Sequence, residues 1–136
     1  MIENSFGTIP VKIENNVPYV FLIQQKNGEH WGFPKGHKEE AETPKLTATR
    51  ELKEETDLSI KRFIKSDPFI ETYNCIKNGN TIHKTVAYYL IEAEGEPLLD
   101  PNEVIQGDWF SLDKAYERLT FLQSKKLLTE AQKYIS

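Results

Sequence analysis

Three glutamates, at positions 51, 54 and 55 of the run Arg50-Glu51-Leu52-Lys53-Glu54-Glu55, constrain this chain more than any other feature. Thr43 followed by Pro44 is a helix start: the hydroxyl caps free amides, and the proline ring is already shaped for the first helical position. A helix running from there to about Thr56 turns ~100° per residue, and offsets of three and four put the three carboxylates on one face. They also fall near the end where backbone carbonyls point outward. Each therefore repels the others and the negative end of the helix dipole, at a few tenths to about 1 kcal/mol per contact. A solvated acidic face is one reading. The other is a cation that offsets the repulsion, and oxygen-only ligands select a hard ion such as magnesium or manganese.

The residues before the run favour the cation. Seven residues separate Glu42 from Arg50, and five separate Gly36 from Glu42, the glycine lying inside the loop His30-Trp31-Gly32-Phe33-Pro34-Lys35-Gly36-His37. Gly36, Glu42, Arg50, Glu51, Leu52, Glu54, Glu55 and Leu58 match eight of the nine defined positions of the Nudix box, so the chain resembles the Nudix hydrolases. Asp57 replaces the last glycine of the box. That position usually ends a helix in a left-handed residue, which glycine fills without strain and aspartate fills at about 1 kcal/mol. The departure should touch stability rather than chemistry.

With 136 residues and 38% apolar content, the chain is expected to form one domain over residues 1–136 with a real core. The N-terminus lacks a basic stretch followed by an apolar run, and no segment approaches the ~18 apolar residues of a membrane span. A cytoplasmic protein with no membrane partner is expected. Cys75 is the only cysteine, which excludes an internal disulfide, and it reads as a packed strand residue. The formal charge of -4 argues against a stable nucleic-acid partner, since such binders gather basic excess. That charge is compatible with a small nucleotide as ligand, approached through bridging metal ions and a few cations. Oligomeric state is expected to be monomer or weak homodimer.

Periodicity gives a coarse outline. Ser5 to Glu14 alternates loosely, and Tyr19-Val20-Phe21-Leu22-Ile23 within Val17 to Gln25 reads as a strand buried on both faces. Phe69 to Ile76 and Thr81 to Ala93 read as a hairpin closed by Asn78-Gly79. A short strand near Val104 to Phe110 and a helical turn from Ser111 to Arg118 follow. A last helix from Gln123 to Ile135 sets Leu127, Leu128, Ala131, Tyr134 and Ile135 along one apolar stripe. Strands interleaved with two helices fit an α/β class. The resemblance implies more, a Nudix-type α/β/α sandwich around a mixed β-sheet.

The resemblance also implies site residues and an activity. Glu51, Glu54 and Glu55, with the Gly36 carbonyl, would hold magnesium, with manganese a possible substitute. Two readings stand for the three carboxylates: all are metal ligands, or one of them is the general base for water. Arg50 and Glu42 would be structural, the arginine orienting a glutamate of the box. The HWGFPKGH loop, the Phe69 to Cys75 segment, the strand from Lys84 to Leu90, and Glu103 six residues before Trp109 resemble the asymmetrical diadenosine tetraphosphate hydrolases. Such enzymes use water to split a dinucleoside polyphosphate into a nucleoside triphosphate and a monophosphate. By that likeness Lys35, His37 and Lys84 would contact phosphates, and Glu103 would bring a further acid to the metal or to water. Tyr73 and Phe121 would hold adenine between aromatic rings, and Tyr88 would face the cleft or the core. Glu39, Glu40 and Glu71 read as solvated charges, Trp31 and Phe33 as supports of the loop, and His30 and His83 carry no assignment. Two other readings stand beside this one: a Nudix enzyme for a sugar nucleotide, a nucleoside triphosphate or an RNA 5′ end, and a regulatory module that binds nucleotide without reaction.

Overall fold

In the computed structural model, residues 1–135 are described, and eight strands and three helices follow in the order β1 (Ile2–Glu14), β2 (Val17–Gln25), β3 (Trp31–Gly32), β4 (Lys35–His37), α1 (Pro44–Thr56), β5 (Ser59–Phe63), β6 (Phe69–Lys77), β7 (Asn80–Glu94), β8 (Val104–Ser111), α2 (Leu112–Arg118) and α3 (Leu122–Gln132). The strands form one mixed sheet. β1 and β7 lie parallel at its centre, with Ile2 opposite His83 and Val11 opposite Glu92. Every other pairing is antiparallel: β4 and β2 along one edge of β1, β6 and β5 along the outer edge of β7, and β3 and β8 against β2.

Alternation along the central strands sorts the core into two layers. Val20, Leu22, Val86, Tyr88 and Leu90 face α2 and α3, meeting Ala115, Leu119, Leu127, Leu128 and Ala131. Phe21, Ile23, Tyr89, Ile91 and Ala93 face the other way, onto Ala48 and Leu52 of α1 and onto Leu58. The run from Val20 to Ile23 is therefore buried on both faces, as its unbroken apolar character requires. Helices on both sides of the sheet make the α/β/α sandwich.

The helix start is as expected: Thr43 Oγ1 accepts from the Leu46 amide at 3.2 Å, and Pro44 opens α1. Asn78 and Gly79 close the β6–β7 hairpin with φ of 53° and 77°, the positive pair that a tight turn between twisted strands demands. Three differences from the sequence reading stand out. The short strands β3, β4 and β5 carry too few residues to show a period, and they exist because β2, β1 and β7 offer them partners. The turn after Ser111 is a full helix, capped where Ser111 Oγ accepts from the Lys114 amide. α3 stops at Gln132, so Tyr134 leaves the stripe and is 48% exposed, while Ile135 still packs on the core.

Asp57 ends α1 in the left-handed region, with φ 62° and its amide bonded to the Lys53 carbonyl at 2.9 Å. Its carboxylate lies 3.1 Å from Lys53 Nζ, an exposed pair worth a few tenths of a kcal/mol. Relief of the left-handed strain, about 1 kcal/mol, exceeds that loss. Asp57→Gly should therefore raise the melting temperature by roughly 1–3 °C, read by differential scanning calorimetry, and leave turnover unchanged.

Candidate active site

The face of the sheet that packs on α3 at one end opens at the other into a cleft of about 1000 Å³. Its floor follows from strand register. Glu3 pairs with Lys84, which pairs with Tyr73; Ser5 pairs with Val86, which pairs with Glu71; Gly7 pairs with Tyr88, which pairs with Phe69. On the other edge of β1, His37 lies opposite Ser5 and Lys35 opposite Gly7. A Cβ at Gly7 would collide with the Pro34 carbonyl and with Lys35, so glycine there is what lets β4 approach. The Thr8 amide, bonded to the Pro34 carbonyl at 3.1 Å, holds the same approach.

α1 forms one wall. Arg50 organises it, with Nε 2.7 Å from Glu42 Oε2 and Nη2 3.1 Å from Glu42 Oε1, a bidentate pair. The same guanidinium donates to Glu51 Oε2 at 3.0 Å, to Glu54 Oε2 at 3.2 Å and to the His37 carbonyl at 2.9 Å. Glu42 in turn accepts from the Glu39 amide and from Thr47 Oγ1, both at 2.9 Å. Hydrogen bonds from Arg50, then from that amide, hold the Glu42 carboxyl down at about 2, and the bond to Glu42 holds the guanidinium proton above its ordinary value. The pair ties the Gly36 loop to the helix.

The three helix acids have three different surroundings. Glu54 is exposed and bonded to Arg50. Glu51 lies between Arg50 and Gly36, close enough to the glycine that a Cβ there would collide with its carboxylate. Glu55 is 4% exposed, with Gln25 Nε2 3.5 Å from Oε1 and no donor on Oε2. Burial, then the neighbouring Glu51 carboxylate, pushes the Glu55 carboxyl up to about 9, and burial raises that of Glu51. Two acids this close favour sharing a proton or a cation over standing ionised together. Among the described residues no three acidic, histidine or cysteine side chains are gathered to hold an ion as they stand. The reason is Arg50, whose N–H groups engage Glu51 and Glu54. The donors nevertheless fit a hard divalent cation, being all oxygen, with a buried Oε2 that lacks a partner and a glycine backbone that leaves room beside Glu51.

The loop after β7 fastens onto the end of α1. The Leu98 amide donates to the Thr56 carbonyl at 2.9 Å and the Asp100 amide to the Glu55 carbonyl at 3.2 Å, using acceptors that a helix end leaves free. Asp100 then turns the chain, accepting from the Glu103 and Val104 amides, and Glu103 reaches the cleft. On the opposite side the Trp31 amide donates to Thr120 Oγ1 at 2.8 Å, which sets Phe121 beside His30 with ring centroids 5.2 Å apart.

Lys35, Gly36, His37, Arg50, Glu51, Glu54, Glu55, Tyr73, Lys84, Tyr88, Glu103 and Phe121 thus all line one cleft, and Glu42 stands behind Arg50. Their settings differ. Burial, then Lys84, lowers the pKa of Lys35, while Lys84 pairs with Glu3 at 3.8 Å. Tyr88 is 3% exposed and meets the Phe33 ring edge-on, so it is floor and core at once, and burial pushes its hydroxyl pKa well up. Phe121 is 49% exposed. Glu71 is a correction: it is a half-buried cleft residue rather than a solvated charge, and burial raises its pKa. The period of two along β6, which puts Glu71 on the face of Tyr73, was the signal. Cys75, on that same face, also lines the cleft and is only partly buried. Gln25 and Asp100 gave no signal in sequence, because a loop and a strand end bring them in.

The profile of the NUDIX domain matches residues 4–132. The chain is 30% identical over 128 residues to the asymmetrical bis(5′-nucleosyl)-tetraphosphatase of Sus scrofa, covering 91% of this chain and 85% of that one. It is 33% identical over 106 residues to a putative mutator protein, MutT4, of Mycobacterium tuberculosis, a match that covers 77% of this chain but 42% of that protein. Among solved structures, a C. elegans Ap4A hydrolase binary complex superposes with a TM-score of 0.75 at 21% identity, covering 97% of this chain and 96% of that one. The NUDIX domain of Shewanella oneidensis NrtR, complexed with ADP ribose, superposes with a TM-score of 0.79 at 16% identity, covering 100% and 90%. Among the described residues no helix is long and apolar enough to cross a membrane.

The buried Glu55 makes the metal-free protein sensitive to pH. Its folded pKa lies above the unfolded value of 4.5, so the folded state holds the proton more tightly and stability is lost as pH rises from about 5 towards 9. One retained proton sets a slope of at most about 1.4 kcal/mol per pH unit. Urea unfolding in chelator should show this decline, and Glu55→Gln should flatten most of it. An unchanged slope in the variant would place the cause elsewhere.

Gly36→Ala tests the cradle from the other side. The Glu51 carboxylate is the far end of a flexible side chain, so the fold should tolerate the methyl with a melting temperature within about 2 °C of the parent. Turnover should fall by about tenfold or more as Glu51 is displaced.

Proposed function

Since this chain belongs to the NUDIX family, we propose that it is a metal-dependent nucleotide hydrolase that cleaves diadenosine tetraphosphate asymmetrically into ATP and AMP. The observation that carries the reading is the single cleft in which Glu51, Glu54 and Glu55 meet the cations Lys35 and Lys84 and the rings of Tyr73 and Phe121. Its volume of about 1000 Å³ suits a ligand with two nucleosides better than a small monophosphate.

Glu51, Glu54 and Glu55, with the carbonyl of Gly36, are the residues that would hold the divalent ions. Bound there, such ions lower the pKa of water and neutralise oxygens of the phosphate chain. The remaining work falls to the protein. Arg50 fixes the rotamers of Glu51 and Glu54 through its N–H groups and leaves Glu55 free of that restraint. Lys35, His37 and Lys84 receive the phosphates. Lys35, drawn into a low-dielectric wall, offers its charge without much competing water, which strengthens its pull on an anion. Glu103 stands on a loop tied to α1 and takes the proton of the attacking water or orients it. Tyr73 and Phe121 receive adenine by stacking, which needs area more than hydrogen bonds. The identity to the Sus scrofa tetraphosphatase across 91% of the chain supports this substrate over a sugar nucleotide.

The test incubates the protein with diadenosine tetraphosphate and magnesium in oxygen-18 water and separates the products, the label reporting which phosphorus was attacked. Equimolar ATP and AMP are expected. Two equivalents of ADP, or no reaction while ADP-ribose is consumed, would sink the assignment. In the same assay Glu55→Gln should lower turnover by orders of magnitude, and full activity there would put the metal site elsewhere.

A further inference from the structure

Of the three described cleft carboxylates with no task in that reaction, Glu39, Glu71 and Asp100, Glu71 is the one with a buried oxygen that lacks a partner. Glu71 lies on β6 directly opposite Val86, two residues from Tyr73 on the same face. Its Oε2 is buried and meets no hydrogen-bond donor among the described residues. Burial disfavours its charge and Lys35, from the opposite wall, favours it. Tyr73 and Tyr88 both feel its charge as well, so it sits amid the floor of the cleft rather than at its rim.

A carboxylate in that position is a poor neighbour for phosphates and a good one for a neutral donor. An unpartnered buried acceptor loses its hydration and regains it only when a ligand brings an N–H or O–H. Along β6, residues two apart are separated by about 6.5–7 Å, roughly the span from the middle of a base to the far side of its sugar. With the base on Tyr73 and the phosphates drawn towards Lys35, the group that comes to Glu71 is the sugar between them. We propose that Glu71 is a specificity-determining residue that accepts a hydrogen bond from a ribose hydroxyl of the bound nucleotide. The assignment rests on the nucleotide reading of the cleft given above. It makes the protein selective for ribonucleotides over deoxyribonucleotides, because the analogue lacking the hydroxyl leaves the carboxylate buried and unpaired.

Binding decides this separately from hydrolysis. The dissociation constants of ATP, 2′-deoxy-ATP, 3′-deoxy-ATP and ITP are measured by calorimetry with magnesium for the parent, Glu71→Gln and Glu71→Ala. The parent should bind ATP about tenfold or more tightly than at least one deoxy analogue, a ratio that falls to about twofold or less in Glu71→Ala. In Glu71→Gln the ratio should be intermediate, since a neutral acceptor bonds about half as strongly. Should the alanine variant not fold, a ratio in Glu71→Gln equal to the parent's overturns the proposal. So does a parent ratio near one, a ratio that survives in Glu71→Ala, or a discrimination directed against ITP, which would assign Glu71 to the base. Failure of the tetraphosphate assay alone removes the proposed reaction and leaves these ratios to judge the sugar contact. If the parent binds none of the four nucleotides, both readings fall.

Discussion

The parallel pairing of β1 with β7 is the constraint on which the rest depends. Both strands are flanked on their outer edges, so their backbone groups are satisfied within the sheet and their side chains must serve two layers at once. Along the face towards α3, Ile9, Val11 and Leu90 supply core at one end, and Glu3, Ser5 and Lys84 line or border the cleft at the other. The same period of two that buries the first set presents the second. A one-residue slip would exchange the layers and empty the cleft of its polar floor.

Electrostatic tension in α1 is managed by distribution rather than removal. Glu42 neutralises Arg50 bidentately, Arg50 shares its remaining N–H groups among Glu51, Glu54 and the His37 carbonyl, and Glu55 is left buried with its carboxyl pushed up to about 9. Removing Glu42 would free Arg50 to swing and leave the Gly36 loop without its tie to the helix. Burying one acid beside another is costly unless a proton or cation joins them. Local rules broken in this way gather at sites of function.

Much of this was legible in the chain itself. Thr43-Pro44 and Asp57 marked both ends of α1, Asn78-Gly79 marked the hairpin, and the unbroken run at Val20–Ile23 marked a strand covered on both sides. Taken as a single acid, Glu71 reads as a solvated charge on the general scarcity of buried ones, whereas its position two residues from Tyr73 puts it on the cleft face. The last helix is shorter than its apolar spacing suggests, since Tyr134 and Ile135 continue the stripe where α-helical bonding has given way, past Gln132, to turns bonded three residues apart.

Sequence alone determined the family, the helix and the set of acids, because spacing along a helix fixes which residues share a face and the box is a pattern of spacings. Only the tertiary structure decided how those acids divide. Glu54 meets Arg50 in the open, Glu51 leans on Gly36 of β4, fifteen residues away (51 less 36), and Glu55 is sealed beneath Gln25 and the loop at Asp100. Dielectric and neighbours differ among the three, and both come from segments distant in the chain that a helical pattern does not encode.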